Sequence, residues 1–541
     1  MLDSILYGFQ VALTPQNIMF AFIGVLIGTV IGMLPGLGPI TAIAIMIPLS
    51  YGMDPASALI LMAGVYYGAV FGGSTSSILL NAPGVAGTVA TSFDGYPMAK
   101  QGKAGKALAI AAICSFAGGT ITVVALMLVA PTMANIAVTF GPTEYFALMM
   151  LGLVAISSLS EGSTVKALIS ATLGFMTATI GIDPQTGTER FTFGVASLLE
   201  GIDFLIVALG LFALAEVAFL IKTRNKPMTE GASQVGSLKV TKSEMKEISG
   251  PIARHSVIGF LLGILPGAGA TIASFISYIT EKRISKHPET FGKGNIKGVA
   301  APETSNNAAT SGAFVPLLTL GIPGSGTTAV LLGALLVVGV QPGPLMLTDH
   351  PDVFWGVIAS MYIGNLFLLI LNLPLIPFLS KILLIPKQLL ISLIFVFCLI
   401  GVYAVTFNVV HLYILVFFGI LGYFMRVLSF PAAPFILAFI LGSLMEESFR
   451  QAMTLSSGSL SVFIESPVTI GLLITALLSL IVPPISRAMK NKNKSRSIWK
   501  AELLMSGTLR FRTFIFHRLV AAFGTSDGSI KKFCFYMLFR S

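Results

Sequence analysis

Two nearly identical phrases interrupt a strongly apolar chain, GMLPGLGP at 32–39 and GILPGAGA at 263–270. A second pair of Pro-Gly breaks follows them, NAPG at 81–84 and GIPG at 321–324. A helix that breaks inside a membrane leaves backbone N–H and C=O groups without partners, at a cost of several kcal/mol each. Such breaks are tolerated where protein or water covers them, and the freed groups can bind ions and polar ligands. The breaks therefore predict binding chemistry at membrane depth.

Polar side chains lie beside these breaks. Hydroxyl and amide groups are neutral ligands that suit carboxylates and Na⁺, and helix N-termini favour anions. We predict a carboxylate-binding site formed by Pro35, Gly36, Gly38, Ser74, Thr75, Gly84, Gly267, Gly269, Gly324, Ser325 and Thr327. We assign a coupling ion, Na⁺ or H⁺, to Asn81, Glu303, Asn306 and Asn307. For any single Ser or Thr the alternative is a hydroxyl bonded to its own helix, and for Glu303 it is a loop-end carboxylate near Lys297.

The spacing and surroundings of the breaks indicate a repeat. Pro35 and Pro266 are 231 residues apart, and Pro83 and Pro323 are 240 apart. Loops rich in Lys and Arg mark the cytoplasmic side, and they flank the second LPG segment at both ends but the first at neither. Each LPG segment is therefore interpreted as a re-entrant hairpin, and the two enter from opposite sides. This pattern is typical of two inverted repeats, although a kink or close packing explains any single break equally well.

The elements that carry these residues are predicted to be membrane helices. Of the 541 residues, 55% are hydrophobic and 10% are charged, with a mean hydropathy of +0.89. Soluble domains carry about 25% charged residues. We predict an all-α polytopic membrane protein of about 11–13 spans, with two inverted repeats that each contain a re-entrant Pro-Gly hairpin and a broken helix.

The domain organisation follows from the same pattern. We predict a first repeat at 1–221, a cytoplasmic linker at 222–256, a second repeat at 257–485 and a basic tail at 486–541. The net charge of +10 belongs to the tail, since Arg487–Ser541 holds 12 Lys/Arg and 2 Asp/Glu. The remainder is neutral, which argues against nucleic-acid binding. Dispersed histidines and the lack of a G-x-x-x-x-G-K-[ST] motif predict neither an enzyme nor an ATP-driven pump, and no cofactor.

Four longer blocks carry a family resemblance: LMAGVYYGAVFGGSTSSILLNAPG at 61–84, DGYPMAKQGKAGKAL at 94–108, GILPGAGATIASFISYITEKRISK at 263–286 and GVAAPETSNNAATSGAFVPLLTLGIPGSGTTAVLLGAL at 298–335. With these blocks the chain resembles the large membrane subunit of the tripartite tricarboxylate transporter family. The similarity runs from the N-terminus to about residue 485, whereas the residues after about Ser495 look unlike the family. The family's motifs fall on Pro35-Gly36, Pro83-Gly84, Pro266-Gly267, Pro323-Gly324, Ser74-Thr75 and Asn306-Asn307.

The resemblance implies a multi-pass permease of the bacterial inner membrane that takes up citrate or related carboxylates. It implies secondary transport driven by an ion gradient. It also implies two partners, a small four-span membrane subunit and a periplasmic solute-binding protein that delivers the substrate. The C-terminal tail is expected in the cytoplasm. The mechanism expected is alternating access around one midplane site, and the alternative is a channel-like pore for small organic anions.

Overall fold

The structure is a computed structural model that describes residues 1–482, apart from Pro35, 160–162, 184, 224–234, 268 and 380–386. The predicted basic tail at 486–541 and the predicted site residue Pro35 therefore lie outside the described residues. The chain divides into a unit from Met1 to Leu477 and a second from Leu478 to Ser541. Nearly all the described residues belong to the first unit.

Helices make up most of the first half of the chain. The α-helices are α1 (Leu2–Ala12), α2 (Pro15–Met33), α3 (Gly38–Ser50), α4 (Pro55–Leu80), α5 (Val89–Lys100), α6 (Ala104–Ala137), α7 (Pro142–Leu159), α8 (Thr164–Ala178), α9 (Phe204–Ala208) and α10 (Ala215–Lys222). A π-helical segment, Leu209–Leu214, joins α9 to α10. Two short strands, β1 (Gly181–Ile182) and β2 (Glu189–Arg190), pair antiparallel with Gly181 opposite Arg190.

The second half is also helical. It contains α11 (Lys242–Ile264), α12 (Gly269–Ile284), α13 (Ile296–Gly312), α14 (Phe314–Leu320), α15 (Gly326–Val337), α16 (Met346–Asp349), α17 (Pro351–Asn372), α18 (Ile376–Leu379), α19 (Lys387–Thr406), α20 (Val409–Val427), α21 (Ala432–Leu455) and α22 (Pro467–Val482). Short 3₁₀ turns lie at Ala86–Thr88, Ala196–Leu198, Pro288–Thr290 and Leu460–Ile464.

Eight helical segments of the described chain are long and apolar enough to cross a bilayer: Pro15–Met33, Pro55–Leu80, Ala104–Ala137, Phe204–Lys222, Pro351–Asn372, Gln388–Thr406, Val409–Val427 and Ala432–Leu455. Five further apolar helices have 10–17 residues, and they include α3, α15 and α22. The predicted helical, multi-pass membrane architecture is confirmed at this level. The protein is built from apolar helices with almost no sheet among the described residues.

Helices end at each of the four Pro-Gly breaks. The two glycines that follow the proline in each LPG segment adopt positive φ. The angles are +96° and +62° at Gly36 and Gly38, and +80° and +56° at Gly267 and Gly269. These left-handed conformations end one helix and let the next begin, as glycine without a Cβ permits. At the other pair of breaks, the C-cap of α4 is Asn81 and that of α14 is Gly321, with φ of 52° and 67°. Corresponding positions of the two halves thus share their backbone conformation.

The helix pairs that precede the breaks pack backbone against backbone through glycines. A Cβ added to Gly28 or Gly32 on α2 would collide with the carbonyl oxygens of Val65 and Ala69 on α4, respectively. On α4, a Cβ at Gly72 would likewise collide with the carbonyl oxygen of Thr29. Small residues four apart allow such close approach between membrane helices. We call this contact of α2 with α4 the first glycine seam.

The same contacts recur between α11 and α13, which form the second glycine seam. A Cβ on Gly259 would meet the Ser305 oxygen at 2.6 Å, one on Gly312 would meet the Phe260 oxygen at 2.5 Å, and one on Gly263 would collide with the Ala309 oxygen. Each residue named in this seam has a counterpart in the first seam. Those on α11 lie 231 positions after residues of α2, and those on α13 lie 240 positions after residues of α4. The two halves therefore repeat a packing arrangement as well as a motif.

Ion pairs fix the short hairpin to α21. Arg450 donates from Nη2 to Asp183 Oδ2 at 2.8 Å and from Nη1 to Asp183 Oδ1 at 3.1 Å. Arg190 donates to Glu446 Oε1 at 2.8 Å. The hydrogen bonds from Arg450, supported by the backbone N–H of Gln185, hold the pKa of Asp183 well below its usual value. The hairpin is thus attached through a carboxylate that stays charged in moderate acid.

Replacing Asp183 with Asn is expected to lower the thermal unfolding temperature of the detergent-solubilised protein at neutral pH. Because the pKa of Asp183 is lower in the folded chain than in the unfolded chain, its contribution is complete above about pH 4 and is lost as the pH falls below that value. The difference in unfolding temperature between wild type and Asp183→Asn should therefore stay constant from about pH 8 to pH 5 and shrink below about pH 4. A difference that already shrinks near pH 7 would contradict this assignment.

Candidate functional site

A cavity of about 1100 Å³ lies where the four breaks meet. Its walls include residues 36–41, 83–87, 267, 269–272 and 325–327. These ranges contain the first turns of α3, α12 and α15 and the 3₁₀ turn that leads into α5. Each helix N-terminus presents unpaired N–H groups and a partial positive charge. Helix N-termini from both halves of the chain, each with a partial positive charge, therefore line the same cavity.

Most of the predicted carboxylate-binding residues line this cavity. They are Gly36, Gly38, Gly84, Gly267, Gly269, Ser325 and Thr327. Gly324 is not among the lining residues, but its carbonyl oxygen accepts a hydrogen bond from the Gly267 N–H at 2.9 Å. This bond ties the LPG tip of the second half to the break that precedes α15. Ser325 caps α15, since its side chain accepts from the Thr328 N–H while the Thr328 side chain accepts from the Ser325 N–H.

Ser74 and Thr75, predicted to bind substrate, lie instead beside Glu303. The Ser74 hydroxyl is 2.8 Å from both carboxylate oxygens of Glu303. Thr91 donates to Oε1 at 2.5 Å and Ser115 donates to Oε2 at 2.9 Å. Glu303 is fully buried, and the structure describes no ion-pair partner for it. The structure thus places a lone carboxylate among three hydroxyl donors from α4, α5 and α6.

A cavity of about 10 Å³ adjoins Glu303, lined also by Ser74, Thr75, Ser115 and Asn372. This volume is close to the smallest that holds one water molecule. Half of its lining residues are polar, and their donors and acceptors come from separate helices. Such a site can hold a proton on the carboxylate or a small cation against oxygen ligands.

Asn306 and Asn307 follow Glu303 on α13 and are buried. Among the residues that the structure describes, neither the Nδ2 nor the Oδ1 atom of Asn306 has a hydrogen-bond partner, and the Oδ1 atom of Asn307 also lacks one. Asn306 packs against Gly87, where an added Cβ would collide with Asn306 Oδ1. Gly87 lines the cavity. Buried amides are costly to leave unpaired, so these orphan atoms indicate a ligand or a conformational change that satisfies them.

Asn81 is placed apart from the other predicted ion ligands. It is exposed and ends α4 in the left-handed conformation. It neither lines the cavity nor bonds to Glu303 in the described structure. Its visible role is that of a helix C-cap.

Two charged residues of the site escaped the sequence analysis. Glu216 on α10 and Arg426 on α20 both line the cavity, and Arg426 Nη1 donates to Glu216 Oε2. They are the only charged side chains among the described residues of the cavity wall. The signal was present, because Glu216 interrupts an apolar run and an ionisable residue within a span is a functional candidate. Arg426 lies in the last turn of the apolar helix α20, where its charge alone does not reveal a partner.

A residue of each half also lies beside the Pro-Gly break of the other half. Tyr66 of α4 lines the cavity and lies within hydrogen-bonding reach of Ser325, at the second-half break. Asn306, which lies 240 residues after Tyr66, reaches Gly87 at the first-half break. The arrangement is symmetric in position but different in chemistry, since a tyrosine pair in one half corresponds to an asparagine pair in the other. The cavity as a whole can hold an anion against helix N-termini and one guanidinium group.

Comparison with known proteins identifies the family of the chain. The family model described as "Tripartite tricarboxylate transporter TctA family" matches residues 18–437. An "Uncharacterized 52.8 kDa protein in TAR-I ttuC' 3'region" of Agrobacterium vitis is 44% identical over 494 residues, which cover 91% of this chain and 98% of that protein. An "Uncharacterized protein in TAR-II ttuC' 3'region" of the same organism is 47% identical over 224 residues, 41% of this chain and 93% of that protein.

No solved structure matches the chain. The family is one of transporters rather than enzymes, and its members are the large subunits of tripartite assemblies. The matched region contains all four breaks and the whole of the cavity wall. The chain therefore belongs to the tripartite tricarboxylate transporter TctA family and is a membrane subunit of a tricarboxylate transporter.

Proposed function

We propose that this chain is the permease of a secondary uptake system for tricarboxylates or related carboxylates, driven by an ion gradient. The observation that carries the proposal is the convergence of helix N-termini from both halves on one cavity. Anions are stabilised at helix N-termini by free N–H groups and the helix dipole. The substrate carboxylates bind there, against Gly36, Gly38, Gly84, Gly267, Gly269, Ser325 and Thr327, and Gly324 supports the tip of the second half through its hydrogen bond to Gly267.

The two halves are proposed to be inverted repeats, each with a re-entrant hairpin and a broken helix. The matched glycine seams and the shared positive-φ positions support the repeat. The opposite distribution of Lys and Arg around the two LPG segments supports the inversion. Inverted repeats allow one site to open alternately to either side.

The coupling ion, Na⁺ or H⁺, is proposed to bind on α13 beside the substrate. Glu303, with the hydroxyls of Ser74, Thr91 and Ser115, offers a proton site or a negatively charged oxygen ligand. The unpaired amide oxygens of Asn306 and Asn307 offer further oxygen ligands. Because Asn306 touches Gly87 at the edge of the cavity, an ion bound there would alter the substrate site directly.

Membership of the family supports the remaining assignments. The partners proposed are a small four-span membrane subunit and a periplasmic binding protein that delivers the carboxylate. The location proposed is the bacterial inner membrane, with the C-terminal tail in the cytoplasm. The eight apolar helices fit a multi-pass protein.

The test is uptake of radiolabelled citrate by proteoliposomes that contain the permease with its partners, with the Na⁺ and pH gradients imposed separately. We expect saturable accumulation that one of the two gradients drives and that collapses when this gradient is dissipated. Asn306→Ala is expected to abolish accumulation, because it removes two unpaired polar atoms beside the cavity, while leaving the amount of protein in the membrane unchanged.

Asn365→Ala is the matched control, since Asn365 is also a buried asparagine but lines neither the large cavity nor the pocket beside Glu303. It should retain more activity than Asn306→Ala. Uptake by Asn306→Ala at the wild-type rate would overturn the assignment of that residue. Non-saturable flux that persists without any gradient would favour the channel-like pore for small organic anions.

A further inference from the structure

The cavity wall contains one ion pair whose two members differ in exposure. Glu216 is buried, with 5% of its side chain exposed, whereas 37% of the Arg426 side chain is exposed. Both residues line the cavity, and Arg426 is the more exposed member of the pair.

The orientation of the guanidinium group is fixed on two sides. Its central carbon lies 3.7 Å from the ring centroid of Phe219, which holds the plane of the group by a cation–π contact. Nη1 is the nitrogen that donates to Glu216. Glu216 Oε1 and Arg426 Nη2 lie 3.3 Å and 3.7 Å from the point that a Cβ on Gly36 would occupy, so both members of the pair lie at the LPG tip of the first half. A planar guanidinium fork held in this way matches the geometry of a carboxylate.

The helix that carries Glu216 is irregular at this point. The π-helical segment Leu209–Leu214 ends directly before α10, and Leu211, Phe212, Ala215 and Glu216 line the cavity. A π-helical turn changes the face that the following residues present and occurs frequently at functional sites. The irregular segment packs on α20 through glycines, since a Cβ on Gly422 would meet the Leu211 oxygen at 2.7 Å. The π-helical segment before α10 therefore helps to place Glu216 next to Arg426.

We propose that Arg426 is the residue that recognises a substrate carboxylate, and that Glu216 is an internal counter-ion with which the substrate competes for the guanidinium group. This inference rests on the proposed carboxylate transport. In the empty cavity Glu216 neutralises Arg426, because an unpaired charge in a largely apolar chamber is costly. When the substrate binds, its carboxylate takes over the exposed side of the fork. When Glu216 regains the pair, the substrate is released.

The two residues should consequently respond in opposite directions to substitution. Arg426→Gln is expected to raise the dissociation constant of citrate by about 10- to 100-fold, the range for loss of a charge-assisted hydrogen bond. Glu216→Gln is expected to lower it by about fivefold, because the competing charge is removed, and to slow turnover by a similar factor. A purely structural pair would give weaker binding for both variants.

The experiment measures citrate binding to the purified full-length chain by thermal shift and isothermal titration, and citrate uptake with the partner subunits present. Arg254→Gln is the matched control, because Arg254 pairs with the buried Glu281 at exposures of 40% and 4%, similar to those of Arg426 and Glu216, yet lies outside the cavity wall. It should leave the dissociation constant within about twofold of wild type. The charge exchange Arg426→Glu with Glu216→Arg restores the pair and separates folding from recognition.

The outcomes distinguish this inference from the proposed function. Restored thermal stability without restored citrate binding in the charge-exchanged protein supports the inference, as does tighter binding by Glu216→Gln. Recovery of wild-type binding by the charge exchange, or unchanged binding in Arg426→Gln while wild type binds citrate, overturns it and leaves carboxylate transport intact. If wild type neither binds nor transports citrate or any other di- or tricarboxylate tested, the proposed function itself fails.

Discussion

Replacing Glu303 with Gln is expected to abolish gradient-driven accumulation of citrate while preserving the folded protein. Glutamine has nearly the same shape, and its amide oxygen can still accept from two of the three hydroxyls that surround the carboxylate. It can neither carry a proton at neutral pH nor supply a negative charge to a cation. Accumulation should therefore be lost, while exchange of labelled for unlabelled citrate across the membrane continues. Counterflow and accumulation measured on the same proteoliposomes check both parts.

Glu281→Gln is the control for this prediction. Glu281 is also a buried glutamate, but it accepts hydrogen bonds from Arg254 at 2.5 Å and lies 3.0 Å from His255. Its substitution should lower stability and keep coupled accumulation. Glu303→Ala is expected to destabilise the protein by up to about 1–3 kcal/mol for each hydroxyl left without an acceptor. Full accumulation by Glu303→Gln would show that the carboxylate only holds α13 to its neighbours.

The second large effect is expected at the glycine seams. Gly32→Ala and Gly263→Ala each place a methyl group against a carbonyl oxygen of the facing helix, that of Ala69 or Ala309. The helices must separate to accept it, at about 1–3 kcal/mol or more. Both variants should show lower unfolding temperatures and less folded protein in detergent, measured by thermal unfolding and size-exclusion chromatography.

Gly250→Ala is the matched control on α11. An added Cβ there meets only the end of the Arg254 side chain, at 3.8 Å. Alanine favours a helix by about 1 kcal/mol over glycine, whereas Pro251, which follows, disfavours a helical residue with a Cβ, so this change should cost much less than either seam substitution. Equal losses in Gly32→Ala and Gly263→Ala would agree with equivalent seams in the two halves. A stable Gly32→Ala protein would contradict the close packing of α2 on α4.

Much of the helical architecture could be predicted from the sequence, for local reasons. Apolar length fixes where helices cross a bilayer, and Pro and Gly fix where they break. Apolar segments such as Phe204–Lys222 and Pro351–Asn372 are long enough to cross a bilayer, as the composition predicts. The glycines at LPG took up the positive φ that only glycine adopts readily. Each of these features depends on a few neighbouring residues.

Which residues contact each other within the site depends on tertiary structure, and the sequence alone does not predict these pairs. Ser74 and Glu303 are 229 residues apart in sequence, and Glu216 and Arg426 are 210 apart. Periodicity gives no information about which helix faces will meet over such distances. The sequence consequently groups Ser74 with the substrate tips and not with Glu303, and it does not identify Arg426 as a site residue. A residue type in an unusual place identifies a candidate, but its role follows only from what it touches.

The glycine seams also have a consequence for how such a carrier could work. Two helices whose main chains are in contact cannot slide or rotate against each other without atoms overlapping. Each pair should therefore move as one rigid body. Displacement during a transport cycle would then be concentrated where the two bodies meet, at the short turns around the cavity. Spin labels placed on both helices of one seam should keep a fixed separation through the cycle, while labels on different seams change theirs.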